Sequence, residues 1–317
     1  MKKLLPLLLF SFLINTANAW NSRGHKIAAS IAYDQLGQTK KAMFTELLKR
    51  HPYSDEWLED FEKESGIELG RYLFIRASVW PDDIKGPESN FPFTNETWHY
   101  VNFRVDYSNG HTVERISPGA DILYAMSWGK MIMTQKWNDN ASQQGFRYTD
   151  ESKAVALCWI LHLIGDIHQP MHCATLYNEF YPKGDAGGNK VYIRKKDNAK
   201  TTYSLHSYWD GLLGDASVQN KTITKQASEI IGLFEEKEFP DLDERNPYEW
   251  SHQSQRLAIS TCYANGIIGS NADYTNKDFG PVLPENYDET AIELANKQIY
   301  FAGIRMATFI KTLRWVE

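Results

Sequence analysis

The stretch Ala156–His172, ALCWILHLIGDIHQPMH, places ionisable side chains inside an otherwise apolar segment. His162 and Asp166 are four residues apart, so a helix would put both side chains on one face, one turn apart. Pro170 cannot continue that helix, so His172 is expected just past its C-terminal end. A buried helix carries an imidazole beside a carboxylate only when each has a partner. The spacing therefore indicates either a metal ion bound by both groups or a hydrogen-bonded His–Asp pair in the core.

The first 19 residues have the three-part pattern of a secretory signal peptide. Two lysines precede an apolar run from Leu4 to Ile14, and a small-residue cleavage signal ends at Ala19. The run is too short to span a bilayer, which argues against a retained anchor. We therefore expect residues 1–19 to be removed. The mature chain, residues 20–317, then begins at Trp20 in the periplasm or outside the cell, and its length suits a single domain.

Charge and cysteine content exclude two classes of protein. The formal net charge is −6, and it becomes −8 once the two lysines of the leader are removed. An acidic chain does not coat nucleic acid through a basic surface, although bound cations could still create a small site for a polyanion. Three cysteines are too few for a disulfide scaffold, and one bridge plus one free thiol is consistent with the count. No segment after the leader is long and apolar enough to cross a membrane.

Most of the mature chain has helical patterning, which predicts a mainly α, single-domain fold. Pro81 is expected to end one of the helices, and the residues from Trp98 to Phe103 are expected to be extended. Two short strands, 190–194 and 201–205, flank a polar turn and predict one small β-hairpin. The predicted helices cover residues 27–36, 40–49, 69–80, 117–137, 149–169, 222–236, 247–268 and 287–315, with a further helix starting near Leu205.

Other histidines support a metal site. His206 and Asp210 form a second pair four residues apart, again on one helical face. His25 lies just inside the mature N-terminus, and Asp82 and His99 lie at opposite ends of a predicted loop. Each histidine alone is most simply structural. Two His–Asp pairs and a histidine after a helix-ending proline together favour zinc, which accepts imidazole nitrogen and carboxylate oxygen.

Seven motifs follow one another across nearly all of the mature chain. They are WNSRGH (20–25), SVWPDDIK (78–85), WHYVN (98–102), LHLIGDIHQPMH (161–172), GDAGGN (184–189), LHSYWD (205–210) and FAGIRMA (301–307). In content and order they resemble the secreted, zinc-dependent single-strand nucleases, the type I nucleases with 3′-nucleotidase activity. The chain is more distantly similar to zinc phospholipase C. The resemblance implies the mainly α, single-domain helical fold of that group, with residues 20–317 as one catalytic domain.

The resemblance also implies a cluster of three zinc ions, with ligands carried over by position. The first ion would be held by Asp82, His99, His162 and Asp166. The second would be held by His25, a bridging Asp166, and the α-amino nitrogen and carbonyl oxygen of Trp20. The third would be held by His172, His206 and Asp210. An uncleaved precursor could not form the second site, because an amide nitrogen lacks the basic lone pair of an amine.

Further positions match residues that handle substrate in the family. The resemblance gives catalytic roles to Asp82, Lys85 and Asn189, although on spacing alone Lys85 would be a solvated loop residue. It gives substrate-binding roles to Tyr100, Asn102 and Gly188. Asn102 stands where fungal members carry an acid that pairs with base edges, which leaves base preference open.

The function implied is zinc-dependent cleavage of single-stranded DNA and RNA to 5′-phosphorylated products, with 3′-nucleotidase activity. Single-stranded nucleic acid and nucleotides would be the substrates, with no membrane association and no obligate protein partner. Two alternatives stay open. One is a phospholipase C-like phosphodiesterase that uses the same three metals, and the other is a non-catalytic zinc-binding secreted protein.

Overall fold

The computed structural model describes residues 20–63, 66–85, 95–116, 119–134, 149–197 and 199–313. The predicted signal peptide lies outside these residues. The described part is mainly helical, as predicted, with only short strand pairs. Its helices are α1 Ser22–Asp34, α2 Gln38–Leu48, α3 Ser54–Phe61, α4 Leu69–Asp83, α5 Ile122–Thr134, α6 Asp150–Ile167, α7 Leu205–Asp210, α8 Asn220–Phe234, α9 Pro247–Leu257 and α10 Tyr287–Thr312.

Helix α6 lies at the centre of the fold. Thr149 and Ser152 form a capping box at its N-terminus, and each side chain binds the other residue's backbone N–H. Pro170 then opens a 3₁₀ turn, Pro170–Cys173. Every residue from Ser152 to Ile167 is buried, as expected for a helix that is surrounded by protein on all sides. The polar residues of α6 therefore lie inside the molecule.

Helices α1, α4, α5, α6, α8 and α10 all contribute to the larger hydrophobic core. Helix α6 packs against α4 and α5, while α1 packs against α4, α8 and α10. The approach of α10 to α1 depends on Gly303, because a Cβ there would lie 2.5 Å from the Ile31 side chain. A second cluster of buried side chains, which includes Val191, Trp209 and Tyr263, supports the loop before α7.

Two short strand pairs lie beside the helices. Strands β3, Tyr192–Ile193, and β4, Tyr203–Ser204, pair antiparallel, which confirms the predicted hairpin. Strands β1, Arg104–Val105, and β2, Thr175–Leu176, pair in parallel, and this pair was not predicted. It joins the segment that follows His99 to the segment that follows His172.

Several predicted boundaries were wrong. Pro81 does not end its helix, because α4 continues to Asp83; the proline removes one backbone donor in the last turn, and burial of Val79 and Trp80 compensates. The extended run starts only at Tyr100, after a 3₁₀ turn over Glu96–His99. Helix α3 was not predicted. Within the segment 247–268 the α-helix ends at Leu257, and a π-helical turn, Ala258–Cys262, and a 3₁₀ turn, Ala264–Gly266, follow it. The ends of the predicted 117–137 helix lie partly outside the described residues.

None of the described helices combines the length and apolar character needed to cross a membrane.

Candidate metal centre

Helix α6 presents His162 and Asp166 to a buried space. His162 Nε2 lies 3.2 Å from Asp166 Oδ2, and both side chains are fully buried. Because a carbonyl oxygen can only accept, His162 Nδ1 donates its proton to the Ser78 carbonyl at 2.9 Å. This bond fixes the ring and turns Nε2, with its lone pair, toward Asp166.

Three further side chains complete a first group around α6. His99 Nδ1 lies 3.0 Å from Asp166 Oδ2, and His25 Nε2 lies 3.1 Å from Asp166 Oδ1. Asp82 Oδ1 is 3.4 Å from His162 Nε2. The two carboxylate oxygens of Asp166 thus face different imidazoles, which is the arrangement that a carboxylate bridging two cations requires.

The His25 ring reaches Asp166 by stacking on His162, with 4.0 Å between ring centroids and 16° between planes. Gly165 makes this approach feasible, since a Cβ at that position would lie 2.5 Å from His25 Nδ1. The glycine in the middle of α6 is therefore a steric requirement of the site rather than a flexible point.

A second group consists of His172, His206 and Asp210. His206 Nε2 lies 3.5 Å from Asp210 Oδ2, and ligand atoms of all three residues lie within 4.8 Å of one another. His172 Nδ1 donates to the carbonyl of His99 at 2.6 Å, so the second group is attached directly to the first. His206 Nδ1 donates to the Gly187 carbonyl at 2.7 Å.

Several ligand-type atoms of these groups lack partners among the described residues. Among them, His172 Nε2 and His206 Nε2 are buried and have no hydrogen-bond partner. Native proteins rarely leave buried polar atoms unpaired. A divalent cation would bind such lone pairs, and a donor set of imidazole nitrogens and carboxylate oxygens is one that zinc accepts. The residues present therefore fit a metal.

The pKa values show the same need for positive charge. Burial lowers the pKa of His206 to about 3 and also lowers that of His172. Burial raises the pKa of Asp210 well above its usual value. Burial alone would also lower the pKa of His162, but the Asp166 and Asp82 carboxylates outweigh it and raise that pKa to about 10. Buried carboxylates thus draw a cation toward both groups.

Comparison with known proteins identifies the kind of chain that carries these groups. A family model described as S1/P1 Nuclease matches residues 20–314. The chain belongs to the S1/P1 nuclease family. Among its relatives in Arabidopsis thaliana, Endonuclease 4 is 24% identical over 333 residues, which cover 96% of this chain and 93% of the relative. Endonuclease 3 is 24% identical over 310 residues, covering 96% and 92%.

Family membership establishes the general chemistry. The chain is a nuclease of the S1/P1 family and thus a hydrolytic phosphodiesterase. Its residues form three candidate metal-binding groups, His25–His162–Asp166, Asp82–His99–His162 and His172–His206–Asp210. The resemblance implied a metal-binding role for nine residues, and the structure brings together the eight that would bind through their side chains. The ninth residue, Trp20, was expected to bind through its backbone.

Trp20 lies next to these groups in this S1/P1 nuclease. It is buried, and its side chain packs on Gly24, where an added Cβ would lie 2.7 Å from the Trp20 Cβ. The following residue, Asn21, caps α1 through its side chain and donates its backbone N–H to the Asp210 carbonyl at 3.2 Å. These contacts hold Trp20 and Asn21 against the helix that carries Asp210.

The predicted substrate-handling residues surround the metal-binding groups. Lys85 Nζ lies 2.5 Å from Asp82 Oδ1. Burial is the main cause that lowers the pKa values of His99 and His206, and the positive charge of Lys85 lowers both further. Tyr100 directly follows His99 and is half-buried. The side-chain oxygen of Asn102 accepts a hydrogen bond from the Thr175 hydroxyl at 2.8 Å.

Gly188 and Asn189 lie in a tight loop built around Asp185. The buried Asp185 carboxylate accepts from the backbone N–H groups of Leu176 and Gly188, each at 2.9 Å, and from the Tyr263 hydroxyl at 2.7 Å. Gly187 and Gly188 have positive φ, and a Cβ at Gly187 would lie 2.7 Å from the Met171 carbonyl oxygen. The loop can therefore carry only glycine where it passes the 3₁₀ turn.

Sequence reasoning missed the residues that support the ligands. Gln169 donates to Asp210 Oδ1 at 2.7 Å, and Asp185 organises the loop whose Gly187 carbonyl holds His206. Both lie inside the quoted motifs, but a motif does not reveal which residue its side chain meets. Of the two, Asp185 was the easier to predict, because an acid with two glycines two and three residues later is typical of a loop folded around a carboxylate.

Two residues near the groups have structural positions. His168 donates to the Ile164 carbonyl at 2.7 Å, and its other nitrogen contacts Arg305 at 2.9 Å, which agrees with a supporting role. Cys173 is buried and lies 3.6 Å from the Ile167 carbonyl oxygen. All three cysteines are buried and free, so the single bridge that the cysteine count allowed is not formed.

Proposed function

We propose that this nuclease is a zinc enzyme that cleaves single-stranded DNA and RNA to 5′-phosphorylated products and also hydrolyses nucleoside 3′-monophosphates. The observation that carries the proposal is the convergence of eight imidazole and carboxylate side chains, from distant parts of an S1/P1 family chain, into two connected buried groups. Such a pocket has no structural purpose that a simpler apolar core would not serve better.

The ligand assignment follows the geometry. The first group would hold two ions, one at Asp82, His99, His162 and Asp166 and one at His25, Asp166 and the Trp20 backbone, while His172, His206 and Asp210 would hold a third. When bound, zinc would supply a water of lowered pKa and positive charge near the departing 3′-oxygen. The support for this assignment is the pair of Asp166 oxygens that face different rings and the unpaired nitrogens of the second group.

Lys85 and Asn189 are positioned to bind the phosphate. The Lys85 side chain is only 11% exposed, so its ammonium is a cation in a partly dehydrated site, where it attracts a phosphate oxygen strongly. Asn189 Nδ2 donates to the Ala186 carbonyl at 2.9 Å, which fixes the side-chain orientation. Its Nδ2 keeps a second N–H, which can donate to a phosphate oxygen from this rigid loop.

Tyr100 and Asn102 account for a preference for single strands. Tyr100 offers a half-buried ring beside ligand His99, and a base can stack on that ring only after leaving its own stack. Unpairing and unstacking a base from a duplex costs a few kcal/mol of free energy. A single strand does not incur the unpairing cost, so it should bind more tightly. Asn102 lies two residues further along and would contact a base edge, with its side-chain oxygen held by the Thr175 hydroxyl at 2.8 Å.

The location of the protein follows from its first residues. We propose that residues 1–19 are a signal peptide removed after Ala19, that residues 20–317 form one catalytic domain, and that the mature enzyme acts in the periplasm or outside the cell. Removal of the leader would create the α-amino group of Trp20, so metal loading would be completed only after export.

The proposal is tested with the chain that begins at Trp20, loaded with zinc. It is incubated with single-stranded DNA, single-stranded RNA and the matching duplexes, with and without a chelator, and the product ends are analysed. We expect chelator-sensitive cleavage of single strands and 5′-phosphate ends. Asp166→Asn serves as the inactive control. Arg50→Gln, at an exposed position just after α2, serves as the active control.

Other outcomes identify the alternatives. Hydrolysis of a choline phospholipid without nucleotide release would indicate the phospholipase C-like activity. Absence of any chelator-sensitive phosphodiesterase activity would indicate a zinc-binding protein without catalysis. Products with 3′-phosphate ends would refute the proposed direction of cleavage.

A further inference from the structure

A cavity of about 520 Å³ lies beside strands β1 and β2, and none of the metal-binding residues contributes to its lining. Arg104, Tyr107 and Tyr177 contribute to its lining. None of the roles proposed so far uses these three residues. Their position relative to the metal-binding groups is set by the parallel pairing of Arg104 with Thr175.

The segment after His99 leads from the metal-binding groups to this cavity. Along it, Val101, Phe103 and Val105 are fully buried, so the intervening Tyr100, Asn102 and Arg104 lie on the opposite, accessible side. Successive members of this accessible row are two residues apart, or roughly 7 Å in an extended strand. The row therefore runs outward from the proposed base-stacking Tyr100 toward Arg104.

Arg104 provides a flat, fixed surface at the end of that row. Its guanidinium lies over the Tyr177 ring, 4.2 Å from the centroid, and Nη2 donates to Asp106 Oδ2 at 3.0 Å. The side chain is nevertheless 39% exposed. A guanidinium held in this way presents its open face to a base, as arginines do in single-strand binding proteins.

Tyr107 provides a second flat surface in the same cavity. Its hydroxyl donates to the Ile259 carbonyl at 2.7 Å, and its ring lies on Gly266, where a Cβ would come within 2.9 Å of the ring. The residue remains 39% exposed. Both surfaces are thus held in place before any ligand binds, which lowers the entropic cost of binding.

The walls of the cavity favour a base over a phosphate. Glu179 is an exposed lining residue, and its carboxylate repels an anion but can accept hydrogen bonds from the amino groups of a base. We infer that this cavity is a second base subsite, which binds a nucleotide further along the strand than the one held at Tyr100. The inference rests on the proposed function, and it implies that the enzyme prefers oligonucleotides to mononucleotides.

The test compares two substrates with each variant: a nucleoside 3′-monophosphate, which cannot reach the cavity, and a single-stranded tetranucleotide, which can. For Arg104→Ala we expect KM for the tetranucleotide to rise roughly tenfold, the loss typical of one stacked base. Activity on the mononucleotide should stay unchanged, which also shows that the variant is folded and loaded. Tyr107→Ala should act in the same way, and Arg50→Ala controls for the loss of an arginine elsewhere.

The outcomes separate the subsite from the function on which it rests. If wild-type enzyme hydrolyses neither substrate, the proposed function fails and the subsite with it. If wild-type enzyme hydrolyses both and the Arg104 and Tyr107 variants leave the tetranucleotide KM unchanged, only the subsite is refuted. Arg104→Lys keeps the positive charge but replaces the planar guanidinium, so its KM for the tetranucleotide should be raised as in Arg104→Ala. A wild-type KM in the lysine variant would overturn stacking as the mode of binding.

Discussion

Substitution of Gly165 by alanine tests whether the packing of α6 was shaped by the metal centre. The new methyl group would lie 2.5 Å from His25 Nδ1 and 2.9 Å from its Cε1. The ring cannot move aside easily, because it is stacked on His162 and lies 3.1 Å from Asp166. We expect His25 to be displaced from Asp166 while the rest of the fold stays intact.

The magnitude follows from two opposing effects. Replacing a helical glycine by alanine stabilises a helix by about 1 kcal/mol, whereas overpacking a buried site costs about 1–3 kcal/mol. The net loss of unfolding free energy should therefore be no more than about 2 kcal/mol. The loss of metal affinity should be larger in relative terms, roughly 10–100-fold, as is typical when the orientation of a ligand is disturbed.

The assay measures unfolding by denaturant in the metal-free protein and zinc affinity by competition with a chromophoric chelator. Gly232→Ala in α8 is the matched control, since no atom lies within 4 Å of its added Cβ; it should gain stability and bind zinc normally. If Gly165→Ala binds zinc as tightly as wild type, the steric account of His25 is wrong.

Three further predictions concern charge and the N-terminus. Burial raises the pKa of Asp185 to about 6, so the protonated side chain stabilises the fold below about pH 4, and this contribution is lost as the pH rises through 6. The unfolding free energy of wild type is compared with that of Asp185→Asn, because the difference removes the titrations that both proteins share; wild type should lose about 3 kcal/mol relative to the variant between pH 4 and 7. Parallel pH profiles of the two proteins would contradict this. Lys85→Met should lower kcat roughly 100-fold with zinc content unchanged by elemental analysis; an unchanged kcat would make Lys85 an ordinary loop lysine. A chain with one residue added before Trp20 should bind fewer zinc ions and lose activity, and three ions per chain in that protein would exclude the amine as a ligand.

Local spacing in the sequence predicted the central part of the site. The two His–Asp pairs at a separation of four residues needed only helical geometry to place each pair on one face. Hydrophobic periodicity also predicted most helices, and the turn chemistry predicted the hairpin of β3 and β4.

Contacts between distant residues could not be obtained in this way. The pairing of Arg104 with Thr175 depends on how two segments far apart in the chain pack, and neither has the length of a recognisable strand. The same holds for Gln169, whose partner Asp210 is 41 residues away. Continuation of α4 through Pro81 was missed because burial of the last turn outweighed a local rule about proline.

The central claim is that nine residues from Trp20 to Asp210 hold three divalent cations. It is tested most directly by anomalous X-ray scattering at the zinc edge, from crystals of the chain that begins at Trp20. The account predicts three zinc peaks: one among Asp82, His99, His162 and Asp166, one between His25 and the Trp20 amine, and one at His172, His206 and Asp210. Fewer than three peaks at these positions, or zinc bound elsewhere in fully loaded protein, would contradict it.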